Sequence, residues 1–227
     1  EYFNIDSPYG HWKDTAVRLE GEAVRNHVIM FLQMWNSIED TDKDYAPYFE
    51  IPEYHAKDRD AVIILFSDSP LDHECVGENV YLNIIRHASR YVYISTPYLI
   101  IDNEMMEALC LASKSGVDVR IITPGIPDKK IVYMLTKSYY PQLLDAGVRI
   151  YHYTPGFIHA KGYVCDDEVG VVGTINMDYR SLYLHFECGT YIYNSSAISD
   201  LKNDFLETFK LCKEVHKKDR PKRVSLI

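Results

Sequence analysis

A histidine and a lysine two positions apart, His159 and Lys161, are the residues of this sequence best suited to chemistry. On an extended strand, residues i and i+2 point to one face, and the small Ala160 between them points to the other. The ammonium group can hold a phosphate or a carboxylate, and the imidazole can attack that anion or move a proton. The pair therefore predicts a site for an anionic ligand. The alternative is a solvated strand face with one structural histidine.

A third side chain, the amide of Asn176, could donate a hydrogen bond to the same anion, because it follows a Gly-Thr turn. The charged and polar positions occur in the order His159-x-Lys161-x(4)-Asp166-x(6)-Gly173-Thr174-x-Asn176. This pattern resembles the HKD motif of the phospholipase D superfamily, in which Gly or Ser is more usual at the position of Thr174. The agreement in residue type and spacing favours a catalytic site over a solvated strand.

Similarity to the bacterial cardiolipin synthases of that superfamily extends to about residue 215. The segments that carry it are 95–99 (Ser-Thr-Pro-Tyr-Leu), 116–121 (Gly-Val-Asp-Val-Arg-Ile), 140–148 (Tyr-Pro-Gln-Leu-Leu-Asp-Ala-Gly-Val) and 176–181 (Asn-Met-Asp-Tyr-Arg-Ser). Residues 185–187 read His-Phe-Glu, where the family usually has Asn-Phe-Glu. These synthases carry two HKD motifs, whereas this chain has one.

The resemblance implies a phosphatidyltransferase that joins two phosphatidylglycerol molecules into cardiolipin and releases glycerol. In this superfamily one motif histidine forms a phosphohistidine, and the other protonates the leaving alcohol and deprotonates the incoming one. By analogy His159 is the acid and base rather than the nucleophile, although imidazole suits both roles. Lys161 and Asn176 would hold the phosphate oxygens, so no metal and no other cofactor is expected. Asp166 completes the catalytic motif, but we expect it to support the motif's structure and not to touch phosphorus.

An internal similarity accounts for the missing motif. Asp14 and Glu187 each precede an alternating stretch and then a helix. Residues 1–37 thus resemble the end of a first half, and residues from about 60 to 215 resemble the second half, of a synthase cut downstream of its first motif. We hypothesise a crossed arrangement, in which Asp14 holds Nδ1 of His159 and Glu187 serves the histidine of the missing motif.

Further side chains have supporting roles by position. Thr174 and Ser181 lie within the resemblance and are expected to support phosphate binding. Tyr98 follows the end of a predicted strand, where α/β proteins tend to place their sites. It lines the alcohol or lipid channel or is a packed aromatic residue. A zinc site that uses His152 and His185 is not favoured, because no ligand spacing fits.

The elements that must position these residues alternate between strands and helices, which predicts an α/β fold. The resemblance implies a phospholipase D-like layered α/β/α domain with a mostly parallel mixed sheet. Strands are predicted at residues 13–20, 61–67, 91–96, 117–123, 149–153, 159–166, 169–174 and 189–193. Helices are predicted at 22–36, 79–89, 103–115 with Asn103 as the cap, 128–147 with an interruption at Pro141, and 197–215.

Together with the resemblance, this assignment implies four segments. Residues 1–40 form the strand-and-helix tail of a preceding phospholipase D-like domain, and residues 41–59 form a polar connector. Residues 60–215 form the second phospholipase D-like domain, which carries the motif. Residues 216–227 form a basic tail that either contacts anionic lipid or is a solvated end.

Composition narrows the function further. The 227 residues carry a net charge of −9, which disfavours a nucleic-acid partner because phosphate binding needs clustered Lys and Arg. Five cysteines without a C-x-x-C pair argue against a disulfide framework and favour a reducing compartment. No run of about 18 apolar residues is present, so no span of a bilayer is predicted.

Three functions remain open. The first is a phosphatidyltransferase half-site that binds phosphatidylglycerol and pairs with the missing first half, at the cytoplasmic face of the cell membrane, held there by parts of a parent protein. The second is a single-motif phosphodiesterase or nuclease, active as a homodimer with two copies of His159. The third is a non-catalytic binding module, against which the intact His159, Lys161 and Asn176 argue.

Overall fold

A computed structural model describes residues 3–39, 44–50, 60–71 and 73–219 of the chain. Most of the predicted connector and most of the basic tail lie outside these residues. Among the described residues, no helix combines the length and hydropathy needed to cross a membrane.

Strands and helices alternate through most of the described chain. The strands are β1 (His11–Lys13), β2 (Val62–Asp68), β3 (Tyr91–Ser95), β4 (Leu99–Ile100), β5 (Asp118–Pro124), β6 (Arg149–Tyr153), β7 (Gly156–Ile158), β8 (Gly162–Cys165), β9 (Val169–Gly173), β10 (Met177–Asp178), β11 (Glu187–Tyr193) and β12 (Cys212–Val215). The α-helices are α1 (Val24–Ile38), α2 (Val76–His87), α3 (Asn103–Lys114), α4 (Lys130–Ala146), α5 (Tyr179–Tyr183) and α6 (Ala197–Lys210). Two short 3₁₀ helices lie at Ala46–Phe49 and Lys217–Asp219.

Eight strands form one mixed sheet in the order β12-β6-β5-β3-β8-β9-β11-β2. The predicted mixed sheet is confirmed, but the expectation that it is mostly parallel is wrong. Only the β3–β5 and β5–β6 neighbours run parallel, and the other five pairings are antiparallel. The cause is connectivity, because parallel neighbours need long crossovers, whereas only residues 166–168 connect β8 to β9.

Helices cover both faces of this sheet, as the predicted α/β/α layering requires. Helices α2, α3 and α4 pack on one face around Ile94, Ile121 and Leu109. Helix α6 packs on the other through Ile198 and Phe205. The central strand β3 is buried along its whole length, because both of its faces are covered.

Two predicted elements end differently in the structure. The strand predicted at 13–20 is wrong beyond Lys13. Strand β1 covers His11–Lys13 instead, and its partner β7 ends at Ile158 and offers no further ladder to residues 14–20. The helix predicted at 197–215 ends at Lys210, and residues 212–215 instead form β12 at the edge of the sheet. There the antiparallel ladder with β6 satisfies the backbone in place of further helical turns.

Two helix details also differ. Helix α4 runs through Pro141 without interruption. A proline inside a helix costs about 3 kcal/mol, and the buried side chains of Tyr140, Leu143 and Leu144 offset this cost. The cap of α3 is Asp102 rather than Asn103, since the Asp102 carboxylate accepts the backbone N–H of Met105 at 2.8 Å.

The sheet brings the motif residues together at one end of its central strands. Strand β3 pairs antiparallel with β8, with Ser95 opposite Gly162, so the residues after β3 and those before β8 are neighbours. The short pair β4–β10 sets Leu99 opposite Met177, which brings the residue before Met177 to the same edge. Thr96 fixes this link, because its hydroxyl accepts the Met177 N–H at 3.1 Å.

Candidate active site

A short parallel ladder brings the N-terminal segment to the motif histidine. Lys13 on β1 pairs with Ile158 on β7, and the His159 N–H donates to the Lys13 carbonyl at 2.7 Å. Asp14 directly follows β1, and its Oδ2 lies 2.9 Å from His159 Nδ1. The contact that the internal similarity predicted is present.

The second ring nitrogen of His159 faces Lys161. The Lys161 Nζ lies 2.6 Å from His159 Nε2 and 2.6 Å from the His159 carbonyl oxygen. Residues 159–161 belong to no strand, and the two side chains nevertheless meet, as the i, i+2 spacing predicted. An ammonium group only donates, so Nε2 accepts and Nδ1 carries the hydrogen that Asp14 receives. This tautomer leaves Nε2 with the lone pair that a base or a nucleophile needs.

The electrostatics of this array are set by burial. Lys161 is 7% exposed, and burial lowers the pKa of its ammonium group to about 8 although the charges of Asp14, Glu187 and Asp178 oppose the shift. For Asp14, burial alone would raise the pKa. The His159 hydrogen bond, the charges of His159 and Lys161 and the Thr15 N–H together hold that pKa below its ordinary value.

Aromatic rings fix the position of the imidazole. The Trp12 ring lies 5.0 Å from the His159 ring and 4.7 Å from Phe157, which itself lies 6.2 Å from His159. The same N-terminal segment is anchored by Lys13, whose Nζ is 2.8 Å from Asp204 of α6. Trp12 is not among the predicted site residues. Its signal was its place directly before Lys13 and Asp14 in a segment that resembles the family.

The amide of Asn176 lies on a separate polar network. Its Nδ2 donates to Ser181 Oγ at 3.0 Å, and the Ser181 N–H donates to Asp178 at 3.0 Å, which caps α5. Asn176 Nδ2 carries a second N–H that can donate to an anion. Within the described part of the chain, Oδ1 of Asn176 is buried without a hydrogen-bond partner. Unsatisfied groups of this kind are rare and call for a functional explanation.

A second carboxylate, that of Glu187, is hydrogen-bonded to the hydroxyl of Thr174. The Thr174 hydroxyl donates to Glu187, and the Cys188 N–H donates to the same hydroxyl at 3.0 Å. Nδ1 of His185 lies 3.5 Å from Glu187, whose side chain is 9% exposed. Thr174 and His185 thus hold the Glu187 carboxylate in place. Its service to a second motif's histidine stays a prediction.

Asp166 is remote from the chemistry. It follows β8, while Lys161 precedes it, so four strand residues separate the two. Its carboxylate accepts the N–H groups of Ser89, Arg90 and Tyr91 at 2.6, 2.9 and 2.8 Å. Burial would raise the Asp166 pKa, but these donors lower it. The prediction that Asp166 is a catalytic residue is therefore corrected. Asp166 supports the structure around the motif, which we also expected.

Tyr98 lies at the edge of the site, where strand β3 ends. Its hydroxyl donates to Asp128 Oδ2 at 2.5 Å, and Lys129 Nζ lies 5.7 Å from its ring centre. The ring centre is 6.4 Å from that of Phe157. Its predicted role in a substrate channel stays a prediction, and Asp128 is a partner that the sequence analysis missed.

The histidines considered for zinc are apart from one another. His152 contacts the Tyr140 hydroxyl at 3.2 Å, and His185 pairs with Glu187. Among residues 3–39, 44–50, 60–71 and 73–219, no group of three or more His, Cys, Asp or Glu side chains could hold a metal ion.

Known proteins with similar sequences belong to the family that the motif resembles. The family described as "Cardiolipin synthase, PLD-like domain" matches residues 81–209. An uncharacterized protein of Streptococcus mutans is 56% identical over 95% of this chain and 46% of its own length. A cardiolipin synthase of Geobacillus thermodenitrificans is 36% identical over 100% of this chain and 46% of its own length. The chain thus spans about half the length of the curated relatives it matches.

A solved structure shares the fold. The phospholipase D family member Nuc from Salmonella typhimurium superposes with a TM-score of 0.59 at 16% identity. The match covers 69% of this chain and 99% of that chain. At this identity the similarity shows the fold alone.

Proposed function

The chain belongs to the family of cardiolipin synthase, PLD-like domains, and from this premise we propose that it supplies one half-site of a phosphatidyltransferase. The proposed reaction joins two phosphatidylglycerol molecules into cardiolipin and releases glycerol. The relatives named cardiolipin synthase support a phospholipase D-type activity, and the finer assignment rests on the site.

One observation carries the proposal. Asp14 holds Nδ1 of His159, while Nε2 accepts from a buried ammonium group. An oriented imidazole that carries its lone pair on Nε2, next to a cation that can bind phosphate oxygens, suits proton transfer at a phosphodiester. The amide of Asn176 supplies a further donor at the same edge of the sheet.

The proposed sequence has two displacements at phosphorus. The histidine of a second motif attacks the first phosphatidylglycerol and forms an N–P bond, and the P–O bond to glycerol breaks. His159, protonated, gives its proton to the leaving glycerol oxygen. His159 then takes the proton of a hydroxyl on the second phosphatidylglycerol, whose oxygen attacks phosphorus and releases the first histidine. Lys161 neutralises the charge that develops on the nonbridging oxygens.

The second half-site is part of the proposal. The described residues contain one HKD motif, so the nucleophile comes from a first half or from a second copy of this chain. We propose that the first half supplies it, and that the assembly works at the cytoplasmic face of the cell membrane on its anionic lipid.

The test is an assay with phosphatidylglycerol vesicles across a range of chain concentrations, with and without a separately produced first half. Cardiolipin and glycerol are measured by mass spectrometry, and His159→Ala is the control. Turnover only with the first half, and its loss in His159→Ala, would support the proposal. Turnover of the chain alone that rises with the square of its concentration would favour a homodimer instead. No cardiolipin in any sample would overturn phosphatidyl transfer.

A further inference from the structure

The first turns of α4 present an apolar surface to solvent. Ile131, Met134 and Leu135 are 71%, 63% and 48% exposed. They lie at i, i+3 and i+4 and therefore share one face of the helix. The opposite face, with Thr136 and Tyr140, is buried against the domain. The apolar side chains thus have no place in the core of this chain, and we name the three residues the α4 patch.

Lysines flank the α4 patch. Residues 126–138 hold Lys129, Lys130 and Lys137 against the single acidic residue Asp128. Asp128 is itself bonded to the Tyr98 hydroxyl. The local charge is positive, although the whole chain carries −9. A cationic rim around apolar side chains is the pattern of helices that lie in the interface of an anionic bilayer.

The α4 patch is close to the candidate active site. Lys129 contacts the ring of Tyr98, Tyr98 contacts Phe157, and Phe157 contacts His159. The loop before α4 also binds the strand that leads to His159, since the Ile126 N–H donates to the Gly156 carbonyl at 3.3 Å. A lipid surface that touched the α4 patch would hold its head groups beside the entrance to the motif.

We propose that the α4 patch is a membrane-contact surface, which inserts Ile131, Met134 and Leu135 into the interface of an anionic phospholipid bilayer. The inference rests on the proposed function, because it supplies the route by which phosphatidylglycerol reaches His159. Two features favour lipid over a protein partner. Protein interfaces are depleted in lysine, and a stable one buries about 800 Å² per partner, which three side chains do not provide.

The test measures vesicle binding, which needs no turnover. The full chain is floated with vesicles of phosphatidylcholine alone and of equal parts phosphatidylcholine and phosphatidylglycerol, at low and high salt. Three proteins are compared with the unchanged chain. They are Ile131→Ser/Met134→Ser/Leu135→Ser, Lys129→Gln/Lys130→Gln/Lys137→Gln and the matched control Leu111→Ser. Leu111 is 67% exposed on α3, so its substitution removes one similarly exposed apolar side chain elsewhere.

We expect the unchanged chain to float with the anionic vesicles and to lose binding at high salt. The triple serine variant is expected to bind the anionic vesicles at least about tenfold more weakly than the unchanged chain. The triple glutamine variant is expected to bind them several-fold more weakly. Leu111→Ser is expected to bind like the unchanged chain. Thermal unfolding followed by circular dichroism shows that each variant is folded.

Two results would overturn the inference. The first is equal flotation of the serine variant and Leu111→Ser. The second is a serine variant that changes the oligomeric state by light scattering while vesicle binding stays the same, which would make the α4 patch a protein interface. A chain that binds vesicles through the α4 patch but makes no cardiolipin with its first half would contradict the proposed function and leave this inference standing.

Discussion

Nδ1 of His159 lies 2.9 Å from a carboxylate oxygen of Asp14, a residue 145 positions earlier in the chain. The match to the family spans residues 81–209, so Asp14 lies outside it. The candidate site is therefore larger than the motif that identifies it. Its orienting carboxylate arrives through the β1–β7 ladder, which sets Lys13 opposite Ile158.

Asp14→Asn is expected to lower kcat of the complemented enzyme by about 100-fold or more. The amide can present either a donor or an acceptor to Nδ1, so it no longer selects the tautomer with a lone pair on Nε2. Asp14→Glu keeps the carboxylate and is expected to recover part of the rate. The measurement is cardiolipin formation from phosphatidylglycerol vesicles with the first half present.

Asp6→Asn is the matched control for this change, because Asp6 is an exposed acidic residue of the same segment. We expect its rate to equal that of the unchanged protein. Equal rates for Asp14→Asn and Asp6→Asn would show that the carboxylate at position 14 does not position the histidine.

Lys161→Met is expected to abolish activity and to stabilise the chain at pH 7. Burial lowers the pKa of Lys161 from 10.5 to about 8, so the charged form costs stability in the folded state. This difference in pKa corresponds to roughly 3 kcal/mol at most. Methionine fills a similar volume without the charge. Urea unfolding at pH 7 measures the gain in the free energy of unfolding.

The stability gained in Lys161→Met is expected to decrease as the pH rises. Below pH 8 the lysine is charged in both states, and the full cost is present. As pH rises from 8 to 10.5, the folded chain loses the proton first, so the unchanged protein gains stability and the advantage of methionine shrinks. Lys210→Met, on a side chain 67% exposed, is expected to show no such gain. A loss of stability in Lys161→Met at pH 7 would contradict the prediction.

The sequence predicted best the contacts that depend on local spacing. His159 and Lys161 meet as their spacing of two residues predicted, although residues 159–161 belong to no strand. The same reasoning predicted that Asp166 lies away from the reacting atoms. It is five residues from Lys161, and an odd spacing on a strand directs two side chains to opposite faces. The main helices and central strands also agreed with their hydrophobic periodicity.

Contacts that depend on tertiary pairing were harder to predict. The edge strand β12 has a helical pattern in sequence and forms because β6 offers a ladder. The antiparallel majority of the sheet follows from the order of strands, which periodicity does not encode. Trp12 and Asp128 join the site through tertiary contacts with His159 and Tyr98. The contact of Asp14 was predictable because the internal similarity supplied long-range information.

Asp166→Asn is expected to destabilise the chain by about 2 kcal/mol and to leave the kcat of the folded protein unchanged. The carboxylate accepts three backbone N–H groups and the Ser89 hydroxyl, and one amide oxygen cannot replace it. These donors lower the pKa of Asp166, so its contribution is present above pH 3.8 and is lost as pH falls below that value. Urea unfolding at pH 7 and pH 3 is the measurement.

The neighbouring Asp167→Asn is the control for that series. Asp167 is 44% exposed and pairs with Arg90 and Lys202 at the surface, so a loss below about 1 kcal/mol is expected. A fall in the kcat of folded Asp166→Asn would return Asp166 to the catalytic residues.

Asn176→Ala is expected to lower kcat while leaving the free energy of unfolding nearly unchanged, whereas Asp166→Asn is expected to do the reverse. The substitution removes a donor for the phosphate oxygens, and loss of one such donor lowers kcat by about 100-fold. It also removes Oδ1, a buried acceptor without a partner among the described residues, so the lost Ser181 bond is partly offset. We expect the free energy of unfolding to change by less than about 1 kcal/mol. Ser181→Ala, which keeps the amide, is expected to retain most of the rate. If Asn176→Ala kept full activity, or if both variants lost activity equally, the amide would be a structural link to α5 rather than a ligand of the phosphate.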